Sequence, residues 1–112
     1  MIELTVLEYL EEALDGIPVY MEKPADLPET YVILEKTGSS RENHVSTATF
    51  AAQSYAPSLY EAAELNEIVK AAFDDIITLD AIGGVRLNSD YSMIDTQTKA
   101  YRYQAIYVVT YV

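Results

Sequence analysis

The chain has 112 residues, half of them hydrophobic and 22% charged, which is typical of one globular domain and predicts a single domain over residues 1–112. It has no cysteine and one histidine, which excludes disulfides, thiolate metal sites and multi-histidine metal sites, and we expect no cofactor and no metal. The net charge of −11 argues against a broad nucleic-acid-binding face, because duplex DNA is itself densely negative. We expect no secretory signal and no membrane span, hence a protein that is cytosolic or assembled from the cytosol.

The first third of the chain predicts a helix followed by a connector and a buried strand. Residues 3–14 place apolar side chains at helical spacing, and Gly16 and Pro18 end the helix. Three prolines constrain residues 18–29, where residues 19–21 can form a short strand. Residues 31–35 are a continuous apolar run, typical of a strand buried on both faces. We interpret residues 37–44 as a long polar loop, either mobile or part of an interface.

The rest of the chain predicts three more strands and one more helix. Residues 45–55 are rich in threonine, valine and aromatic side chains, as strands are. Ser58 and Glu61 form a capping box at the start of a helix over residues 58–76. A turn at Gly83–Gly84, a strand over 85–94, a polar turn at 95–98 and a last strand over 99–112 follow. The predicted order is α-β-β-β-α-β-β, an α+β fold with two helices on one face of a mainly antiparallel sheet.

Catalytic patterns are weak, and we predict that the chain is not an enzyme. Asp74 and Asp75 are adjacent on a helix, so their carboxylates do not face each other. His44 lies near Ser46, but no third residue that would orient the pair is indicated. The rival hypothesis, an acid–base enzyme that uses carboxylates, predicts a deep pocket with a strongly perturbed carboxyl group.

The ten tyrosines are the unusual feature of the composition. Five lie in residues 79–112, where acids and bases cancel, whereas residues 1–37 carry a net charge of −7. They are either a core stripe under the helices or an interface. Because both faces of residues 105–112 are apolar, we favour a partner subunit over the side without helices; the alternative is a face left partly wet. The candidate interface residues are Arg41, Glu42, His44, Tyr101 and Tyr103, and we expect Arg102 to form a surface ion pair within the subunit.

Several strings resemble tail terminator (tail-completion, minor tail) proteins of long-tailed, siphovirus-type bacteriophages. They are the sequence from Phe50 through Ala56-Pro57-Ser58-Leu59 to Leu65, the segment Val19–Pro24 followed by Pro28, the strand 31–35 with Glu35-Lys36-Thr37-Gly38, and Tyr101–Ala105. Their order and spacing cover nearly the whole chain. None of these strings is a catalytic signature.

The resemblance implies a structural virion protein that assembles in the bacterial cytoplasm into a ring, usually a hexamer. Such a ring caps the tail tube and joins it to the head–tail connector protein, and DNA passes through it without specific binding. The family implies no active site. Two alternatives stay open: a neighbouring head-completion or connector protein, and a small cytosolic protein-binding module whose strand edge accepts a peptide.

Overall fold

Two helices and five strands form the fold in the predicted order. A computed structural model describes residues 1–95 and 100–112, and its elements are α1 (Ile2–Ala13), β1 (Val19–Tyr20), β2 (Tyr31–Glu42), β3 (Val45–Ala56), α2 (Leu59–Asp74), a 3₁₀ turn (Asp75–Thr78), β4 (Ile82–Asp95) and β5 (Ala100–Tyr111). The strands form one sheet in the order β1-β2-β3-β5-β4, in which only β1–β2 is parallel. The α+β class and the element order are therefore confirmed.

Both helices pack on the same face of this sheet. Val6 and Leu10 of α1 are fully buried one turn apart, as are Val69 and Phe73 of α2. They meet alternate residues of the central strands, because strand side chains point to opposite faces in turn. The strand side of this core is Val32, Leu34, Ala48, Phe50, Ala52, Ala105, Tyr107 and Val109. We call the opposite side, which carries no helix, the open face.

Aromatic rings fix α2 on the sheet. The Phe73 ring stacks on the Tyr107 ring with centroids 4.4 Å apart and planes 9° apart, and it lies 6.2 Å from the Phe50 ring. The Tyr107 hydroxyl donates to Asp74 Oδ1 at 2.8 Å and to the Lys70 carbonyl at 3.2 Å. Burial of these rings and the hydrogen bonds of the Tyr107 hydroxyl therefore both stabilise the packing of α2 on the sheet.

The helix ends follow from local chemistry. Ser58 caps α2, since its Oγ accepts from the Glu61 backbone N–H at 3.2 Å and donates to the Glu61 carboxylate at 2.9 Å. Gly16, with φ of +88°, lets the chain turn just after α1. The predicted helix over 58–76 ends earlier as an α-helix and tightens into the 3₁₀ turn.

Two predicted turns are wrong. Residues 37–42 continue β2 instead of forming a loop, and Gly83–Gly84 lie inside β4, next to a register shift. Asp95 ends β4, and the rest of the turn predicted at 95–98 lies outside the described residues.

A bulge in β4 changes which side chains share a face. Leu87 pairs with Tyr107 on the helix side, but Ser89 pairs with Ile106 on the open side, so Asn88 is the extra residue. Regular alternation along the predicted strand would put residues 85, 87, 89, 91 and 93 on one face. The bulge instead sends Tyr91 and Met93 to the open face.

Candidate interaction surface

The five candidate interface residues lie at opposite ends of the sheet. Arg41, Glu42 and His44 are exposed at the β2–β3 hairpin, beside the end of β5, where Ser46 pairs with Tyr111. Tyr101 and Tyr103 lie at the other end of β5, where Ala56 pairs with Tyr101. Ten residues of strand separate the two ends, which is roughly 33 Å. The structure therefore does not bring the five residues into one site.

The β2–β3 hairpin is tight. Asn43 and His44 have φ of +52° and +66°, the combination that a two-residue type I′ turn requires. Strand pairing continues to Glu42 and Val45, and a register shift after Lys36 marks Thr37 as a bulge. The predicted polar loop is therefore an ordered hairpin whose polar side chains are exposed because no helix covers them.

One end of the open face carries a small second core. Tyr31, Ile33 and Tyr55 are buried there, with Tyr20 packed beside them. The Tyr31 and Tyr55 rings stack with centroids 4.6 Å apart, and the Lys23 ammonium of the connector lies 4.9 Å from the centre of the Tyr55 ring. The proline-containing connector thus covers this end.

A hydrogen-bonded network crosses the open face from β3 to β4. Arg102 Nη1 donates to the Tyr55 hydroxyl at 2.9 Å, and that hydroxyl donates to Gln53 Oε1 at 3.3 Å. Gln53 Nε2 donates to Gln104 Oε1 at 2.9 Å, and Gln104 Nε2 donates to the Tyr91 hydroxyl at 2.6 Å. Arg102 therefore acts in a polar network and lies over the Tyr55 ring, and the surface ion pair predicted for it does not form with any side chain that the structure describes.

The β4 edge of the open face, where this network ends, is partly exposed. Tyr91 is 44% exposed and Met93 is 37% exposed, although both belong to a paired strand. Ile106 and Val108 of β5 are half-buried between β3 and β4, where they pair with Ser89 and Arg86 of β4. Tyr107 is therefore a core residue, as the first interpretation of the tyrosines expected, whereas Tyr91 is exposed and its part in an interface stays a prediction.

Charge is divided between the two faces. Residues 2–15 carry five acids and no base, and residues 59–80 carry six acids and one base, so the two helical segments hold ten of the eleven net negative charges. On the open face, the described strand side chains that are charged are two acids and two arginines: Glu35, Glu42, Arg86 and Arg102. The helix layer is strongly acidic and the open face is close to neutral.

The perturbed carboxyl groups are ion-paired. The Lys70 ammonium, 3.0 Å from Asp90 Oδ2, holds the pKa of Asp90 below its ordinary value, and Asn66 Nδ2 donates to the same oxygen at 2.9 Å. The pKa of Glu3 is lowered by a backbone hydrogen bond and by Lys36, 3.0 Å away. A general acid needs the opposite shift, a raised carboxyl pKa. The ion pairs of these two carboxylates each link a helix to a strand.

A shallow groove lies between α2 and β5, at the end of the sheet where Tyr101 and Tyr103 stand. We call it the tyrosine groove, and it is lined by Tyr60, Ala63, Glu64, Glu67 and Tyr103. Tyr60 is 76% exposed at its rim. Helical spacing could have indicated this exposure, because Tyr60 falls on the same acidic side of α2 as Glu64 and Glu67.

Metal sites, membrane-spanning helices and similarity to known proteins remain to be described. Over residues 1–95 and 100–112, no group of histidine, aspartate and glutamate side chains is arranged to hold a metal ion. None of the helices in the same ranges is both long and apolar enough to cross a membrane. In comparisons with known proteins, no family model matches the chain and no curated protein sequence matches it.

Proposed function

We propose that this chain is a structural protein of a phage virion, a tail terminator whose copies form a ring, most simply a hexamer. The ring caps the tail tube and offers the surface that meets the head–tail connector protein. The resemblance of its sequence strings to that family supports this function. So does the architecture, since both helices cover one side of the sheet and leave the other available for protein contacts.

The observation that carries the proposal is the contrast between the two faces. A chain with a net charge of −11 is repelled by surfaces of the same sign, so the side that carries the least charge is the one best suited to bind the tail tube. The open face meets that condition, and Tyr91 and Met93 add exposed apolar area to it. Binding to the tail tube would bury that area.

The acidic helix layer has a separate use in the same assembly. Turned toward the centre of a ring, it repels phosphates, so that DNA slides past without being held. The molecule is 44 Å long and 25 Å wide in its two other directions. Six such bodies that touch side by side enclose an opening of about 25 Å, the width of one of them, which admits a duplex.

Negative-stain microscopy of the protein mixed with tail tubes tests the proposal. The tubes are assembled from a purified tail tube protein of a siphovirus-type phage, and the expected result is a ring at one tube end that stops further growth. Met93→Asp, on the open face, should reduce capping. Ile68→Asp is the matched control, because Ile68 is 47% exposed on α2 in the helix layer.

Two results would overturn the proposal. One is the absence of rings on tubes at any protein concentration. The other is a pull-down from host cells that recovers a defined cellular protein and no tail component, which favours the binding-module alternative. Equal loss of capping in Met93→Asp and Ile68→Asp would show that the open face has no special part in it.

A further inference from the structure

The tyrosine groove has the chemistry of a site for a guanidinium group. Tyr60 and Tyr103 present aromatic rings, Ala63 leaves space between them, and Glu64 supplies an exposed carboxylate that forms no ion pair with any residue in 1–95 or 100–112. Glu67 is bound to Lys70 at 2.8 Å, and none of the basic side chains that the structure describes lines the groove. A guanidinium stacks on tyrosine faces and pairs with a carboxylate through two hydrogen bonds.

The chain itself carries a cation that suits this groove. Lys36 and Lys70 are ion-paired, Lys23 lies over the Tyr55 ring, and Arg102 belongs to the open-face network. Arg86 donates weakly to Asn88 at 3.5 Å within β4. Arg41 is the remaining base among the described residues, and its guanidinium has no ion pair, hydrogen bond or ring contact with any of them. Its side chain is exposed near the tip of the hairpin, two residues before Asn43, the first residue of the turn.

We infer that Arg41 of one copy enters the tyrosine groove of the next copy, stacking on its tyrosines and pairing with its Glu64. This contact rests on the proposed function in so far as that function calls for repeated copies. The hairpin and the groove lie at opposite ends of the sheet, so an intramolecular contact is impossible and the two surfaces join copies head to tail. A head-to-tail contact of unlike surfaces is the kind that closes rings.

The direction of the two side chains agrees with such a contact. Arg41 pairs with Ser46 on the side of the sheet that faces the helices, and Tyr103 pairs with Ser54 on that same side. Glu42, the neighbouring acid, points to the open face with its pair partner Val45. The hairpin therefore offers its positive charge to the helix side without the opposing charge of Glu42 beside it.

Charge reversal in sedimentation velocity experiments tests the contact with this chain alone. Arg41→Glu and Glu64→Arg should each weaken self-association at least about tenfold, since each replaces an ion pair and a cation–aromatic contact by repulsion. Mixing the two variants should restore association to within about threefold of the parent, because the groove of Arg41→Glu still accepts Arg41 from the Glu64→Arg chain. Circular dichroism confirms that each variant is folded.

Matched controls separate the contact from net charge. Arg86→Glu makes the same charge change on the open face, and Glu11→Arg makes the opposite one on α1. Each should stay within about twofold of the parent at moderate salt, which screens exposed charges beyond roughly 10 Å. Arg86→Glu as weak as Arg41→Glu would overturn the inference.

Three further outcomes also overturn it: a parent chain that is monomeric at every concentration, an Arg41→Glu variant that associates like the parent, and a mixture that stays dissociated. Because the assay contains no tail tubes, its outcome is independent of capping. Capping by an Arg41→Glu variant that self-associates like the parent would refute the contact and leave the proposed function intact. A confirmed contact in a protein that never caps tubes would do the reverse.

Discussion

Removal of a single hydroxyl group, in Tyr107→Phe, measures how firmly α2 is held on the sheet. Tyr107 has no exposed surface, and its ring stacks on Phe73. Phenylalanine keeps the ring and that stacking, so the substitution leaves no cavity at the ring position. What it removes is the donor to Asp74 and to the Lys70 carbonyl, at 2.8 and 3.2 Å.

The size of the loss follows from the two acceptors. A hydrogen bond to a charged group contributes about 1.5–3 kcal/mol. Asp74 is exposed at the end of α2, so water replaces part of what its carboxylate loses, and the Lys70 carbonyl lies within the helix. We therefore expect a loss of about 1–2 kcal/mol out of a total of about 5–15 kcal/mol for a domain of this kind.

Urea unfolding at neutral pH measures this loss. With a slope of about 1–3 kcal/mol per molar urea, the midpoint should fall by roughly 0.5–1 M at unchanged slope. Asp74→Ala and the double variant complete a thermodynamic cycle, in which we expect a coupling energy of about 1 kcal/mol between the two side chains. Strictly additive losses would refute the reasoning, because they would mean that the hydroxyl and the carboxylate do not interact.

The same pair gives a prediction at alkaline pH. Burial, with Asp74 as the second cause, raises the pKa of Tyr107 above the ordinary tyrosine value of 10.0. Below pH 10 the side chain is protonated in both states, and above it the unfolded state loses its proton first, so stability falls as pH rises through the folded pKa. Tyr107→Phe lacks this term, so its deficit relative to the parent should shrink between about pH 9 and 11 in parallel urea titrations.

Three further variants address the ion pair, the hairpin and the helix cap. Asp90→Asn removes a carboxyl whose pKa Lys70 lowers, so it should cost at most about 1 kcal/mol at neutral pH and progressively less as pH falls below about 4, measured by thermal unfolding at both pH values. His44→Gly relieves a positive φ in the hairpin turn and should stabilise by about 0.5 kcal/mol; a lower melting temperature would contradict the turn geometry. Ser58→Ala removes the acceptor for the Glu61 N–H and should cost about 1 kcal/mol in urea unfolding, whereas Ser58→Asp should retain most of the cap.

Local patterns were sufficient to predict the order of the elements. Val6 and Leu10 repeat at helical spacing, and Ser58 marks the start of α2, where its capping hydrogen bond is observed. Such signals depend on residues within one or two turns of each other, so a single sequence contains them.

The hairpin was predicted wrongly for a physical reason. Residues 37–42 are polar and include a glycine, which is typical of loops. In the structure, both faces of this part of β2 are exposed, so its pairing with β3 needs no apolar alternation. The turn occupies the two residues Asn43 and His44 instead of the eight residues of the predicted loop.

The composition of the open face depends on contacts that no local pattern contains. Gln53 and Gln104 are 51 residues apart in the chain, and Tyr55 and Arg102 are 47 apart. The bulge at Asn88 moves Tyr91 and Met93 to that face by one extra residue, and a one-residue change in register reverses every later side chain. Strand register, and therefore the set of residues that form the open face, could be determined only from the structure.

The acidity of the helix layer has an ordinary explanation, but the neutrality of the open face does not. Amphipathic helices put charged residues on their solvent side, and glutamate is a good helix former. A sheet face that stays in water is usually protected in the same way, with charges that discourage pairing and packing. Here the residues from Thr47 to Gln53 on β3 and from Gln104 to Thr110 on β5 place only threonine, alanine, glutamine, isoleucine and valine on the open face. The chain has eighteen acids, yet none lies in these two stretches of the open face, and this is what the proposed contact with another protein surface requires.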